Sequence, residues 1–445
     1  MPESTSPRHV PSFPRPRDVR FDLDALTSDG GLVWLAEADA ALSLSTSLAA
    51  ELTDWRRRRG QHTLATLVAQ RVYQIACGYE DQNDATTLRH DPLLKQVCGR
   101  LPLSGAPLAS QPTLSRLENA VDAKACYRLA VELGRLYLRE RERDGIPARI
   151  LLDLDSTADP VHGEQEGAAY HGYYRQHMYH PLLVFDGDTD QLITAVLRPG
   201  NVHASRGIVA ILRRMVRAIR ERWPGVMIEL RADSGFAIPA LYEYCEREEI
   251  SYTIGLVTNS RLETVAEPLL AEALLQAASS DEKVRLVADT SYQAGSWDAP
   301  RRVVYKAEAL EKGPNTRFVV TNRHVSAQQV YDDYVDRGEP ENWIKDLKNH
   351  CFADRLSCHH FWANQFRLLL HAAAYWLLDT LRRWLMAAGM EAHPTQHPTT
   401  TADQDRWLGP GTGDGDPPTP RQQSSRPVTL GSPRSQAGTF MNNPG

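Results

Sequence analysis

Apolar and polar positions alternate with two different periods along this chain, and the switch between them divides it. From about residue 32 to 144 apolar residues recur every three or four positions. That predicts helices over 36–59, 63–76, 92–98 and 112–143, with Ser110 as a cap for the last. At Arg149 the period falls to two. Ile150, Leu152 and Leu154 then face one side of a strand, and Leu151, Asp153 and Asp155 the other. Strand-like runs at 178–185 and 191–197, separated by the polar turn 186–189, predict an antiparallel hairpin. A basic amphipathic helix over 206–222 follows, then a strand over 226–233, a helix over 237–249 and a strand over 251–257. Beyond these lie a helix over 263–278 and strand-like runs at 284–290, 301–309 and 316–321. A helix with Pro340 in its first turn and a long apolar helix over 362–388 complete the pattern.

Three antiparallel strands, a helix, a strand, a helix and a strand is the order of an RNase H-like α/β fold with a mixed sheet. The expected organisation starts with a disordered arm over 1–20 and an all-α N-terminal domain over 21–145. A catalytic domain over 146–260 and 322–389 is split by a mainly β insertion over 261–321. Residues 390–445, rich in Pro, Thr, Gly, Gln and Ser, are expected to form a disordered tail.

Composition narrows the function classes. At 445 residues the chain is too long for one core, so two or three domains are expected. A hydrophobic share of 42% and a charged share of 24% are ordinary for a soluble protein. The net charge of -6 argues against a uniformly basic coat but leaves room for a local groove. Only seven of the 50 basic residues are lysines, and arginine is the better fork for phosphate. The run Arg56 to Arg59 is a candidate DNA-backbone contact, with a solvated helix end as the plain alternative. Six cysteines without a CxxC pattern read as reduced thiols, and the first 20 residues lack the apolar core of a secretion signal. The most apolar run, 366–378, is broken by Arg367 and His371 and is too short to span a bilayer. A cytoplasmic protein with no membrane partner is expected.

The candidate chemistry centres on 334–348. Tyr334, Arg337, Glu341 and Lys348 are spaced three, four and seven apart, so one helix would hold them within roughly 60° of each other. Glu341 suits a metal ion, and Arg337 and Lys348 suit phosphate oxygens. A solvated helix with Glu–Lys pairing is the plain alternative. Asp155 and Asp233 end the first and fourth strands, neighbours in an RNase H-like sheet. With Glu341 they would supply three carboxylates for two Mg²⁺ ions about 3.5–4 Å apart, the arrangement that serves phosphodiester cleavage. Asp153 shares a face with Asp155 and competes with it as the first acid. His162, His171, His177 and His180, with Glu164 and Glu166, fit no compact zinc spacing and read as polar loop or DNA contact. Asp186 to Asp190 reads as a hairpin turn.

These motifs resemble those of bacterial insertion-sequence transposases of the DDE class, in the subgroup with a Tyr-x2-Arg-x3-Glu-x6-Lys signature. Tyr334, Arg337, Glu341 and Lys348 match that spacing throughout. Asp155 with Ser156 and Thr157 is similar to the first-acid motif, and 231–236 to the second. The family also carries a β insertion between the second Asp and the Glu, and the likeness covers roughly 21–389. It implies that Asp155, Asp233 and Glu341 bind two Mg²⁺ ions, with Mn²⁺ as a substitute. Arg337 and Lys348 would then hold phosphates, with Tyr334 as a further backbone contact and Trp297 stacking on a flipped base. The partners implied are double-stranded DNA, namely terminal inverted repeats and target, and a second copy of the chain on paired ends. Gly338 and Pro340 fall inside the signature and allow a turn before the Glu341 helix. The tail departs from the family's helical, basic ending and reads as a change of frame. The alternative function is therefore an inactive or repurposed DNA-binding derivative.

Overall fold

The structure is a computed structural model that describes residues 27–57, 60–143, 145–280, 283–310, 313–335 and 339–390. Its N-terminal part is all helical: α1 (Leu32–Leu42), α2 (Leu44–Ala50), α3 (Leu64–Ala76), α4 (Ala85–Leu88), α5 (Pro92–Val97), α6 (Gln111–Asn119) and α7 (Ala123–Arg141). Side-chain caps set several starts, since Thr63, Asp91 and Asp122 accept from Thr66 N, Leu94 N and Ala125 N. Ser110 does precede α6, but its hydroxyl meets the Thr113 hydroxyl at 3.3 Å and caps no backbone N–H.

Two long helices expected from periodicity are each broken. Ser43 adopts a left-handed conformation (φ 54°) between α1 and α2, and the cap at Asp122 separates α6 from α7. Arg56 and Arg57 of the arginine run are not helical either. Arg56 pairs with Asp54 at 2.7 Å and donates to the His62 carbonyl, while Arg58 and Arg59 lie outside the described residues. The arm over 1–20 and the tail from 391 also lie outside them.

The rest of the chain builds an α/β layer. Its strands open with β1 (Arg149–Ser156), β2 (Asp159–Pro160), β3 (Ala169–His171), β4 (Gln176–Tyr179), β5 (Leu182–Asp186) and β6 (Leu192–Val196). Then come α8 (Ile208–Arg222), β7 (Met227–Ala232), α9 (Pro239–Arg247), β8 (Ser251–Leu256) and α10 (Ser260–Ser280). The chain continues through β9 (Val284–Tyr292), β10 (Arg301–Leu310), β11 (Gly313–Thr321), α11 (Ala327–Val335), α12 (Glu339–Cys351) and α13 (Phe361–Ala387).

Eight strands form one sheet in the order β6-β5-β1-β7-β8-β11-β10-β9. β1, β7 and β8 run parallel to one another, and β5 and β6 run antiparallel. The first five strands therefore have the RNase H-like arrangement, preceded by helices as expected. The insertion strands are not a separate body. β11 pairs with β8 from Phe318↔Leu256 to Thr321↔Thr253, so the insertion prolongs the same sheet.

The expected strand over 178–185 is two strands. Pro181, which has no N–H to offer a ladder, falls between β4 and β5, and β4 instead joins β2 and β3 in a small second sheet. α13 packs along α3, α7 and β6 with its first half buried. Gln365 on it accepts from Leu197 N at 2.6 Å, and the Trp376 indole donates to the Leu192 carbonyl at 2.9 Å. Arg71, Glu118 and Arg367 form a buried ion cluster that ties α3, α6 and α13 together. All six cysteines are free thiols. Among the described residues no helix is long and apolar enough to cross a membrane.

Candidate active site

β1 and β7 stay in register from Arg149↔Met227 to Leu154↔Ala232, and the next residue of each chain segment is an acid, Asp155 or Asp233. Neighbouring strands lie about 4.8 Å apart, so the two carboxylates stand side by side at the end of the central parallel pair. Asp155 is recessed, only 8% exposed, and its Oδ1 accepts from Ser156 N at 2.7 Å. Asp233 is half-buried and accepts from Gly235 N at 2.8 Å, which starts the short turn over 234–236. Their charges both act on the Tyr174 phenol, which burial first and then these two acids push up.

Asp153 is already engaged. Its two oxygens accept from Arg231 Nε at 2.8 Å and Nη2 at 2.6 Å, inside the sheet layer. A Cβ at Gly187 would collide with both partners, so that turn residue has no room for a side chain. Asp155, rather than Asp153, is thus the carboxylate at the open end of β1.

The expected single helical face over 334–348 is divided. Tyr334 lies on α11, which ends at Val335, whereas Glu341 and Lys348 lie on α12, which begins at Glu339 with Pro340 in its first turn. Arg337 lies outside the described residues. Tyr334 still reaches the acids: its hydroxyl is 3.5 Å from the Ala232 carbonyl, one residue before Asp233. Arg231 Nη1 donates to the Asp333 carbonyl at 2.7 Å and so sets the end of α11 against β7. Gly255 completes this approach. A Cβ there would stand 2.6 Å from the Tyr334 hydroxyl and 2.9 Å from Ser234 N.

Lys348 is drawn inward from the other side. Its ammonium donates to the Ala158 carbonyl at 2.6 Å, just past the end of β1. Burial pushes it down, and Asp159, Asp354 and Asp155 hold it up against that. Asp159 is 2% exposed, and neither carboxyl oxygen has a hydrogen-bond partner. Burial pushes it up to about 8.

Glu341 is exposed on α12, seven residues before Lys348 and therefore about 10 Å away along the axis. Among the described residues no group of three or more acids, histidines or cysteines is arranged to hold a metal ion. The donors present do suit a hard divalent cation, which takes carboxylate oxygen and water. Trp297 is buried. It is 7% exposed, edge-on to Tyr242 and Tyr292, with the Arg301 guanidinium 5.6 Å from its ring. The indole thus takes part in the packing between α9 and the insertion.

Sequence reasoning missed Arg231, Gly255 and Asp159. Only Arg231 and Asp159 carried a signal, as charged residues beside an acid motif. The model of the family described as transposase DDE domain group 1 matches residues 12–398. A cryo-EM structure of a piggyBac transposase synaptic complex with hairpin DNA is similar at 12% identity, over 85% of this chain and 82% of that one, with a TM-score of 0.41. No curated protein sequence matches.

Proposed function

The chain belongs to the transposase DDE domain family, group 1, and on that premise we propose that it cuts DNA at the ends of an insertion sequence and joins the freed 3′-hydroxyl strand to target DNA. The observation that carries this reading is the placement of Asp155 and Asp233 at the ends of the two adjacent central strands. Asp155 and Asp233, with Glu341 brought in from α12, are the proposed ligands. Two Mg²⁺ ions there, or Mn²⁺, would activate the attacking oxygen and stabilise the leaving one.

The chain's own residues shape the approach. With Asp153 taken up by Arg231, Asp155 and Asp233 are the acids at the strand ends. Lys348 sits at the end of β1 and supplies positive charge beside Asp155. Tyr334 closes the Asp233 side. Lys348 and Arg337 are the proposed phosphate contacts and Tyr334 a backbone contact, with terminal inverted repeats and target DNA as partners. Two copies on paired ends and a cytoplasmic setting complete the reading.

Asp233→Asn tests it. Cleavage of a duplex carrying the element's terminal repeat should vanish in Mg²⁺ while the gel shift persists. Cleavage at an unchanged rate removes Asp233 from the site. A wild-type chain that shifts this DNA but cuts none in Mg²⁺ or Mn²⁺ supports the DNA-binding derivative instead.

A further inference from the structure

The open side of the acid pair has an aromatic wall. All of 157–181 is inserted between β1 and β5, which otherwise pair up to Ser156↔Leu182, so the small sheet β2-β4-β3 stands at the acid end of β1. It is firmly based. Thr157 N donates to the Pro181 carbonyl, and Tyr179 donates to the Glu166 carbonyl and accepts from Asn364 of α13. Gly200 lies so close to the backbone of Met178 and Ala169 that no Cβ fits.

On this base the β3–β4 hairpin carries a run of rings. His180, buried and fixed by the Val202 carbonyl, meets His171 at 5.0 Å and Tyr174 at 5.8 Å. Tyr174 meets His171 at 5.0 Å and Tyr173 at 5.1 Å, and Tyr170 meets His177 at 5.6 Å. The outer rings face solvent: Tyr173 is 84% exposed and Tyr170 54%. The left-handed Arg175 (φ 55°) closes the turn and adds a cation to its tip.

Large exposed rings in a rigid frame are costly to keep in water, and their position selects an occupant. Asp155 lies recessed between this wall and the Lys348 side of α12. A double helix is a broad rod with its base faces stacked inside, so it offers nothing for exposed rings to stack on and approaches a recessed carboxylate less closely than an opened strand does. A single strand is slender and exposes base faces, which stack on aromatic rings regardless of sequence. Tyrosine also adds no charge beside two acids that must meet a phosphate. We propose that the β3–β4 hairpin, through Tyr173, Tyr170 and Tyr174, is a stacking surface for unpaired nucleotides, so that the strand to be cut reaches Asp155 and Asp233 in single-stranded form. This rests on the DNA-cleaving reading above.

The test uses the full chain and terminal-repeat duplexes with 2-aminopurine beside the cleavage site, fully paired or with that position mismatched. The probe is first followed in EDTA, where no cutting is needed. Wild-type chain should change the probe's fluorescence severalfold. Tyr173→Ala should lose most of that change, and Tyr173→Phe should keep it. In Mg²⁺, Tyr173→Ala should cut the paired duplex at least tenfold more slowly and the mismatched duplex at near the wild-type rate. A fluorescence change that ignores Tyr173, or equal slowing on both duplexes, overturns the stacking surface. So does a Tyr173→Ala chain whose only change is its sedimentation, which would make the hairpin a contact between copies. A wild-type chain that cuts neither duplex while its EDTA signal depends on Tyr173 refutes the cleavage reading and leaves the stacking surface standing.

Discussion

Arg231 grips Asp153 with two hydrogen bonds across β1 and β7, two residues before Asp155 and Asp233 on their respective strands. The same guanidinium holds the Asp333 carbonyl, one residue before Tyr334. One buried cation therefore fixes the two strand ends and the end of α11 relative to one another.

Breaking that pair from one side should be costly. Arg231→Met leaves Asp153 buried and uncompensated, a change of about 3–5 kcal/mol in denaturant unfolding. Adding Asp153→Leu should recover much of the loss, because two apolar residues replace two charges. A double variant no more stable than Arg231→Met would show that the pair is not what the strands depend on.

Asp155 and Asp153 should separate cleanly by role. Asp155→Asn should fold with near-native stability and lose cleavage, whereas Asp153→Asn should lose stability and retain cleavage at temperatures where it stays folded. Melting curves beside a cleavage assay decide it, and the reverse pattern would exchange the two assignments.

Gly255→Ala should drive the Tyr334 phenol and the Ser234 backbone away from β8. Overpacking of this kind costs about 1–3 kcal/mol. Tyr334→Phe in the same chain removes the nearer of the two clashing groups and should restore part of the loss. Thermal melts of the three chains test this, and additive losses would refute the contact.

The Asp159 carboxyl has a pH signature. Unfolded it titrates near 3.8, and burial pushes it up to about 8 in the folded chain. Between those values the folded state holds a proton that the unfolded state has released. This contribution to stability is full below about pH 4, falls as pH rises towards 8, and is flat above. Asp159→Asn should flatten that slope. A variant with the wild-type pH dependence from 5 to 8 would exclude Asp159 as its source.

Trp297 should behave as a core residue. Trp297→Ala is expected to cost about 3–5 kcal/mol, as large-to-small changes in a core do. Trp297→Phe should keep most of the stability and bind terminal-repeat DNA as tightly as wild type. Weakened binding by a fully stable Trp297→Phe would return the indole to the DNA.

Much of the fold was legible because the strands that carry the acids have a strong period of two, and β1 is long enough to show it. The small sheet was hidden: β2 has two residues and β3 three, too few to display a period. The signature read as one helix because its spacing obeys helical geometry, yet Tyr334 lies on α11 and Glu341 and Lys348 on α12. Asp153 stayed a competitor of Asp155, which only the following Ser156 and Thr157 favoured, because the partner that engages Asp153 lies 78 residues away. The position of Trp297 was equally hidden, since Tyr242 and Tyr292, which enclose it, come from α9 and β9.

The seam between β8 and β11 reaches further than its four paired positions suggest. Thr321 donates to the Tyr252 carbonyl at 2.7 Å, and Tyr252 N donates to the Asn322 side chain at 2.8 Å, so the junction is stitched by side chains as well as by its ladder. One unbroken ladder therefore joins the far rim at β9 to β8, which pairs with β7, the strand that leads to Asp233. Whatever grips that rim holds the same continuous sheet that ends at Asp155 and Asp233.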